Sequence, residues 1–114
     1  MIAVTFDEPD RSYRPGDTIN GHVVWQGGPF TEGALRLLWT TTGRGTQDVG
    51  VQQLVSVHMS DNVGSTGFTF EAPAFPYSFS GTLLSIEWYV ELSVRGDAVK
   101  QLIVIGPDGR EVQV

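Results

Sequence analysis

His22 and His58 are the two side chains through which this sequence could carry out acid–base or metal chemistry near neutral pH. There is no cysteine, and neither histidine stands at a ligand spacing from the other, so no zinc-type donor set forms. Ser56, His58 and Asp61 supply the residue types of a hydrolase triad, but no Gly-x-Ser-x-Gly elbow surrounds any serine. Glu87 and Glu91 fall on one face of a strand, and at ~3.3 Å rise per residue they stand about 13 Å apart. Paired glycosidase carboxylates sit about 5 to 9.5 Å apart, so these two read as a solvated stripe. Asp7, Glu8 and Asp10 in "DEPD" and Asp61 in "SDN" offer oxygens to calcium, yet no loop has the dense Asp-x-Asp spacing of a dedicated site. "RGD" at positions 95 to 97 matches an adhesion tripeptide and reads as a polar turn after a long strand. The expectation is a protein that is not an enzyme, with no metal and no cofactor.

The elements that carry these residues alternate with period two. Ile2, Val4 and Phe6 share a face, as do Ile19, Val23 and Trp25, and then Leu35, Leu37 and Trp39. Val49 and Val51 continue into Val55, Val57 and Met59, with Gly50 or the Gln52-Gln53 pair marking a bulge or bend. Phe68 and Phe70 follow. In "LLSIEWYVELSV" the residues Leu84, Ile86, Trp88, Val90, Leu92 and Val94 alternate with polar ones. Strands near Val99 to Ile105 and Glu111 to Val114 end the chain, joined by Pro107-Asp108-Gly109, which is hairpin-turn chemistry. This predicts an all-β chain, a single domain over residues 1 to 114, with about eight strands packed as a sandwich. Pro15-Gly16 fits a type II turn leading through Asp17 into the second strand, and Gly21 within that strand marks a close backbone approach or a bulge.

Composition narrows the function. Three Trp, six Phe and three Tyr supply a core, and a chain this long buries roughly two-thirds of its unfolded surface. The net charge of −6, with its seven cations scattered, disfavours nucleic acid. No apolar run approaches the ~20 residues of a membrane span. "MIAVTFDEPD" has neither the basic start nor the apolar run of a signal peptide, which points to a cytoplasmic location.

Two segments carry a family resemblance. "SYRPGDTINGHVVW" resembles the Tyr-x-Pro-Gly-(Asp/Glu)-x-(Ile/Val)-x-Gly-x-Val segment of the arrestin clan through Tyr13, Pro15, Gly16, Asp17, Ile19, Gly21 and Val23. "FTFEAPAFPYSFSGTLLSIEWYVEL" resembles a second stretch of the clan through Phe68, Phe70, Pro73, Pro76, Ser78, Phe79, Gly81, Ile86 and Trp88. The clan includes bacterial sporulation-control proteins of similar fold. The resemblance implies one immunoglobulin-like, arrestin-type antiparallel β-sandwich and a lean toward protein binding. Full arrestins resemble two such sandwiches in tandem, and one sandwich cannot form the groove between two, so no arrestin receptor contact is carried over.

The expected function is therefore a non-catalytic protein-interaction or scaffold module whose partner is another protein or a second copy of itself. The alternative is a carbohydrate-binding or adhesion sandwich. Arg44, Thr46, Gln47 and Asp48 belong to a polar, Gly-rich excursion after the Leu35 to Trp39 strand, a place for partner contacts. In "AFPYSF" the rings of Phe75, Tyr77 and Phe79 are expected to be buried where the chain crosses between sheets; turned outward they would anchor a partner. Trp25, Trp39 and Trp88 share faces with aliphatic residues and belong to the core, which leaves Tyr89, between Glu87 and Glu91, as the aromatic ring on a polar strand face.

Overall fold

The computed structural model describes residues 1–43 and 47–113, and among them the alternation is realised as ten strands and no helix. In chain order these are β1 (Ile2–Phe6), β2 (Ser12–Tyr13), β3 (Thr18–Gln26), β4 (Glu32–Gly43), β5 (Val49–His58), β6 (Val63–Glu71), β7 (Phe79–Ser80), β8 (Leu84–Val94), β9 (Asp97–Ile105) and β10 (Val112–Gln113). A small sheet runs β1, β3, β6, and a large one runs β10, β7, β8, β4, β5. Along its other edge β8 is shared: Ser85 and Ile86 pair with β7, and Trp88 to Val94 pair with β9.

Inward residues of both sheets make one core. Ile19, Val23 and Trp25 of β3 and Phe68 and Phe70 of β6 face Leu35, Leu37, Trp88, Val90, Leu92 and Ile103 of the large sheet. Each tryptophan finds a specific seat. The Trp39 ring lies over Gly50 and the Trp25 ring over Gly64, both positions where a β-carbon would collide with the indole. Trp88 is fully buried and donates its indole N–H to the Pro76 carbonyl at 2.8 Å.

The Pro15-Gly16 turn is type II: Asp17 N–H donates to the Arg14 carbonyl at 3.0 Å, and Gly16 takes φ +87°. Gly16 N–H also reaches the Ala72 carbonyl, and Ala72 N–H the Asp17 carbonyl, each at 2.8 Å. The turn thus clamps the start of β3 to the end of β6. Gly21 is the close approach expected of it, with the Thr5 carbonyl and the Phe68 ring occupying the place of a side chain.

Three expectations need correction. Ten strands replace about eight, because β2 and β7 are two residues long and too short to show a period. The sandwich is not wholly antiparallel, since β2 runs parallel to β9 and β10 parallel to β7. Pro107-Asp108-Gly109 makes a tight turn, Gly109 N–H to the Gly106 carbonyl at 3.2 Å, yet it closes no hairpin: β10 leaves β9 and pairs with β7, held by Val112 N–H to the Ser78 carbonyl.

Candidate functional site

The expected bulge in β5 falls at Gln52. Gln53 pairs with Leu37 and Val51 with Leu38, so Gln52 is the extra residue opposite the Leu37–Leu38 step. Its consequence is a change of face. Leu37 is in the core, so Leu38 and its partner Val51 point outward; below the bulge Val55 and Val57 point inward beside Leu35 and Gly33. Val49, the partner of Thr40, also points outward, as does Leu54, the partner of Arg36.

Across the outer face of the large sheet this makes an unbroken row. Val51 of β5, Leu38 of β4, Tyr89 of β8 and Leu102 of β9 are mutual register neighbours. Leu38 is only 5% exposed yet lies outside the core cluster, so its burial comes from outward-facing neighbours. At the row's ends Val51 is 49% and Leu102 48% exposed, and Leu54 beside them is 62% exposed. A sheet face turned to water is normally polar, and a run of large apolar side chains across four strands departs from that pattern.

Charges flank the row. The next row reads Leu54, Arg36, Glu91, Lys100 across the same four strands. Arg36 Nη1 lies 3.9 Å from Glu91 Oε1, a long pair that leaves guanidinium donors to spare, and Arg36 Nε has no acceptor. The Lys100 ammonium sits 4.7 Å above the Tyr89 ring. Burial, with the Glu87 carboxylate below it, raises the Tyr89 phenol above its ordinary value.

The residues expected to meet a partner are not brought together. Tyr89 is at the centre of the outer face. Gln47 and Asp48 are exposed at the end where β4 turns into β5, with the Asp48 N–H held by Thr41 Oγ1 at 3.0 Å; Arg44 and Thr46 lie outside the described residues. The polar excursion is also shorter than expected, because β4 continues through Thr40–Gly43 and β5 starts at Val49. Phe75 is 78% exposed, and Tyr77 and Phe79 are half-buried, whereas Pro76 and Ser78 are buried. The expectation of buried rings is overturned for Phe75: the core takes Pro76 and Ser78 instead, whose polar atoms bond Trp88 and Ile105. Val51, Leu54 and Leu102 were not singled out from the sequence, although the bulge that turns Val51 outward was.

The chemistry-bearing side chains stay apart. His22 faces Asp7 at 3.4 Å on the outside of the small sheet, and His58 pairs across from Glu32 at the edge of the large one. Asp61 lies at the opposite end from Asp7, its carbonyl accepting the Trp25 indole N–H at 2.8 Å. Among the described residues no three His, Asp or Glu side chains converge as metal ligands. Arg95-Gly96 forms the two-residue turn between β8 and β9, with Gly96 at φ +80°. Tyr13 is buried against the core with its hydroxyl unpaired; burial, then Glu8 and Asp10, raise its phenol. No helix among the described residues is long and apolar enough to cross a membrane.

No protein-family model and no curated protein matches the sequence. A solved structure does match in fold: that of Spo0M, a sporulation control protein from Bacillus subtilis, aligns with 91% of this chain at a TM-score of 0.62 and 14% identity. The chain covers 48% of Spo0M, about half of its length. The fold resemblance to the arrestin clan, carried in the sequence by the two motifs, is met by this structural likeness.

Proposed function

We propose that this protein is a non-catalytic interaction module, an immunoglobulin-like sandwich of arrestin type, which recognises another protein through the outer face of its large sheet. The observation that carries this reading is the row Val51, Leu38, Tyr89, Leu102 across four strands of the outer face, with Val51 and Leu102 half exposed at its ends and Leu38 covered by its neighbours. The placement of the histidines is compatible with it: among the described residues His22 and His58 lie on different sheets and no three His, Asp or Glu side chains converge as metal ligands. A sugar platform is harder to build here. Trp25 and Trp88 are buried, Trp39 packs against the core, and Lys100 already occupies the face of Tyr89.

Affinity capture from an extract of the source organism tests the reading, with wild-type bait beside a Val51→Glu/Leu102→Glu bait. A protein retained by the first and reduced at least tenfold on the second, about 1.4 kcal/mol of affinity, is the expected outcome. Equal retention on both baits contradicts it.

A further inference from the structure

The pattern of the outer face is self-complementary in one orientation, and that orientation identifies an occupant. Across β5, β4, β8 and β9 the apolar row reads Val51, Leu38, Tyr89, Leu102, and the charged row reads Leu54, Arg36, Glu91, Lys100. We propose that a second copy of this chain packs face to face on this surface about a two-fold axis running parallel to the strands, between β4 and β8. The proposal rests on the reading of this face as an interaction surface and names what covers it.

Such an axis exchanges β4 with β8 and β5 with β9 while keeping each row at its own height. Val51 then meets Leu102 of the second copy, and the ring of its Tyr89 lies over the nearly covered Leu38. In the charged row Arg36 meets Glu91 of the second copy, and the symmetry makes that contact twice. Leu54 meets Lys100, whose alkyl stem can lie along it once the ammonium leaves the Tyr89 ring for water. The Arg36–Glu91 separation of 3.9 Å within one chain leaves the guanidinium able to take a second carboxylate.

The other in-plane axis, across the strands through the apolar row, fails this test. It sets Glu91 on Glu87 of the second copy, like charge on like, and leaves Arg36 facing Thr40. Size also fits. Four strands at ~4.8 Å spacing over about nine residues of β4 give a face of roughly 500 Å² in projection, and side-chain relief brings it toward the ~800 Å² per partner of a standard interface. Sheets stacked this way keep their strand directions within about 30° of each other, as the two sheets of a sandwich do.

Edge-to-edge pairing through β5 is the competing way to dimerise, since β5 is the last strand of the large sheet. The Gln52 bulge interrupts its ladder, a feature that works against pairing with another edge. Leu102 separates the two arrangements because it lies on β9, with β4 and β8 between it and β5.

Sedimentation velocity of the whole chain from about 1 to about 300 µM tests the proposal, a span that brackets micromolar affinities. The wild type is expected to dimerise, Leu102→Glu and Arg36→Glu each to weaken dimerisation at least tenfold, and Arg36→Glu/Glu91→Arg to restore it. Thermal melts alongside check that each variant folds. A wild type that stays monomeric overturns the proposal, as does a dimer indifferent to Leu102→Glu. If the wild type is monomeric while Val51→Glu/Leu102→Glu still releases a captured protein, the second copy is overturned and the interaction surface stands. If neither dimer nor face-dependent capture is seen, both readings fall.

Discussion

At the residue scale, glycine and tryptophan explain each other. Gly50 carries no side chain because the Trp39 ring occupies that space, so Gly50→Ala forces the indole or the strand to move and is expected to cost about 1–3 kcal/mol. Gly16→Ala meets nothing within 4 Å and should cost only about 1 kcal/mol, entirely from its left-handed φ of +87°. Urea melts of the two variants measure the contrast, and equal losses would contradict the assigned causes. Trp88→Phe removes the donor to a buried Pro76 carbonyl and leaves a void, an expected loss of about 2–4 kcal/mol in the same melts. Parity in the sequence placed all three tryptophans against the core, because each sits among aliphatic residues of its own strand. It misplaced Phe75 because Pro76 and Ser78 look like the polar half of an alternation, while their burial is set by two distant partners, Trp88 and Ile105. Nothing local in "AFPYSF" reports those partners.

At the scale of the element, β5 decides which face is apolar. Its valines all share one parity in sequence, and without a bulge all would point the same way; the Gln52 insertion sends Val49 and Val51 out and Val55 and Val57 in. Removing the inserted residue therefore has an unusual expected outcome. Deletion of Gln52 leaves Val51 next to Gln53, each still on its present face, so the fold should survive with a loss under about 1.5 kcal/mol. The straightened edge should then associate more readily, read as a larger species in light scattering. A collapse of the thermal transition would show instead that the strand is in continuous register and that Val49 and Val51 face the core. The bulge was legible as a breaker pair in the sequence. The outward turn of Val51 follows only once the register with Leu38 is known, which is why Val51, Leu54 and Leu102 escaped notice.

At the scale of the whole molecule, two sheets of unequal size leave one broad face without cover. The three-stranded sheet and the core occupy the inner side of β4, β8 and β9, and the outer side carries an apolar row whose ends, Val51 and Leu102, are half exposed. The general architecture was legible, because period-two patterning, turn residues and the two arrestin-like segments all pointed to a sandwich. The parallel pairings of β2 and β10 were not, since two-residue contacts between distant parts of the chain leave no local signature. The candidate surface was legible only through Tyr89, the one ring on a polar face. The loop at Gln47 and Asp48 attracted attention by composition, and it lies at the end of β4 and β5, away from Tyr89.

The central claim is that the outer face of the large sheet binds protein, and one paired capture tests it most directly. Wild-type and Val51→Glu/Leu102→Glu baits, matched in thermal melting, are exposed to the same extract supplemented with a differently tagged copy of the chain, and everything retained is identified by mass spectrometry. The account predicts that the wild-type bait holds the tagged copy or another defined protein, and that the variant loses it at least tenfold, about 1.4 kcal/mol. Retention that ignores both substitutions, or a wild-type bait that holds nothing, would contradict it.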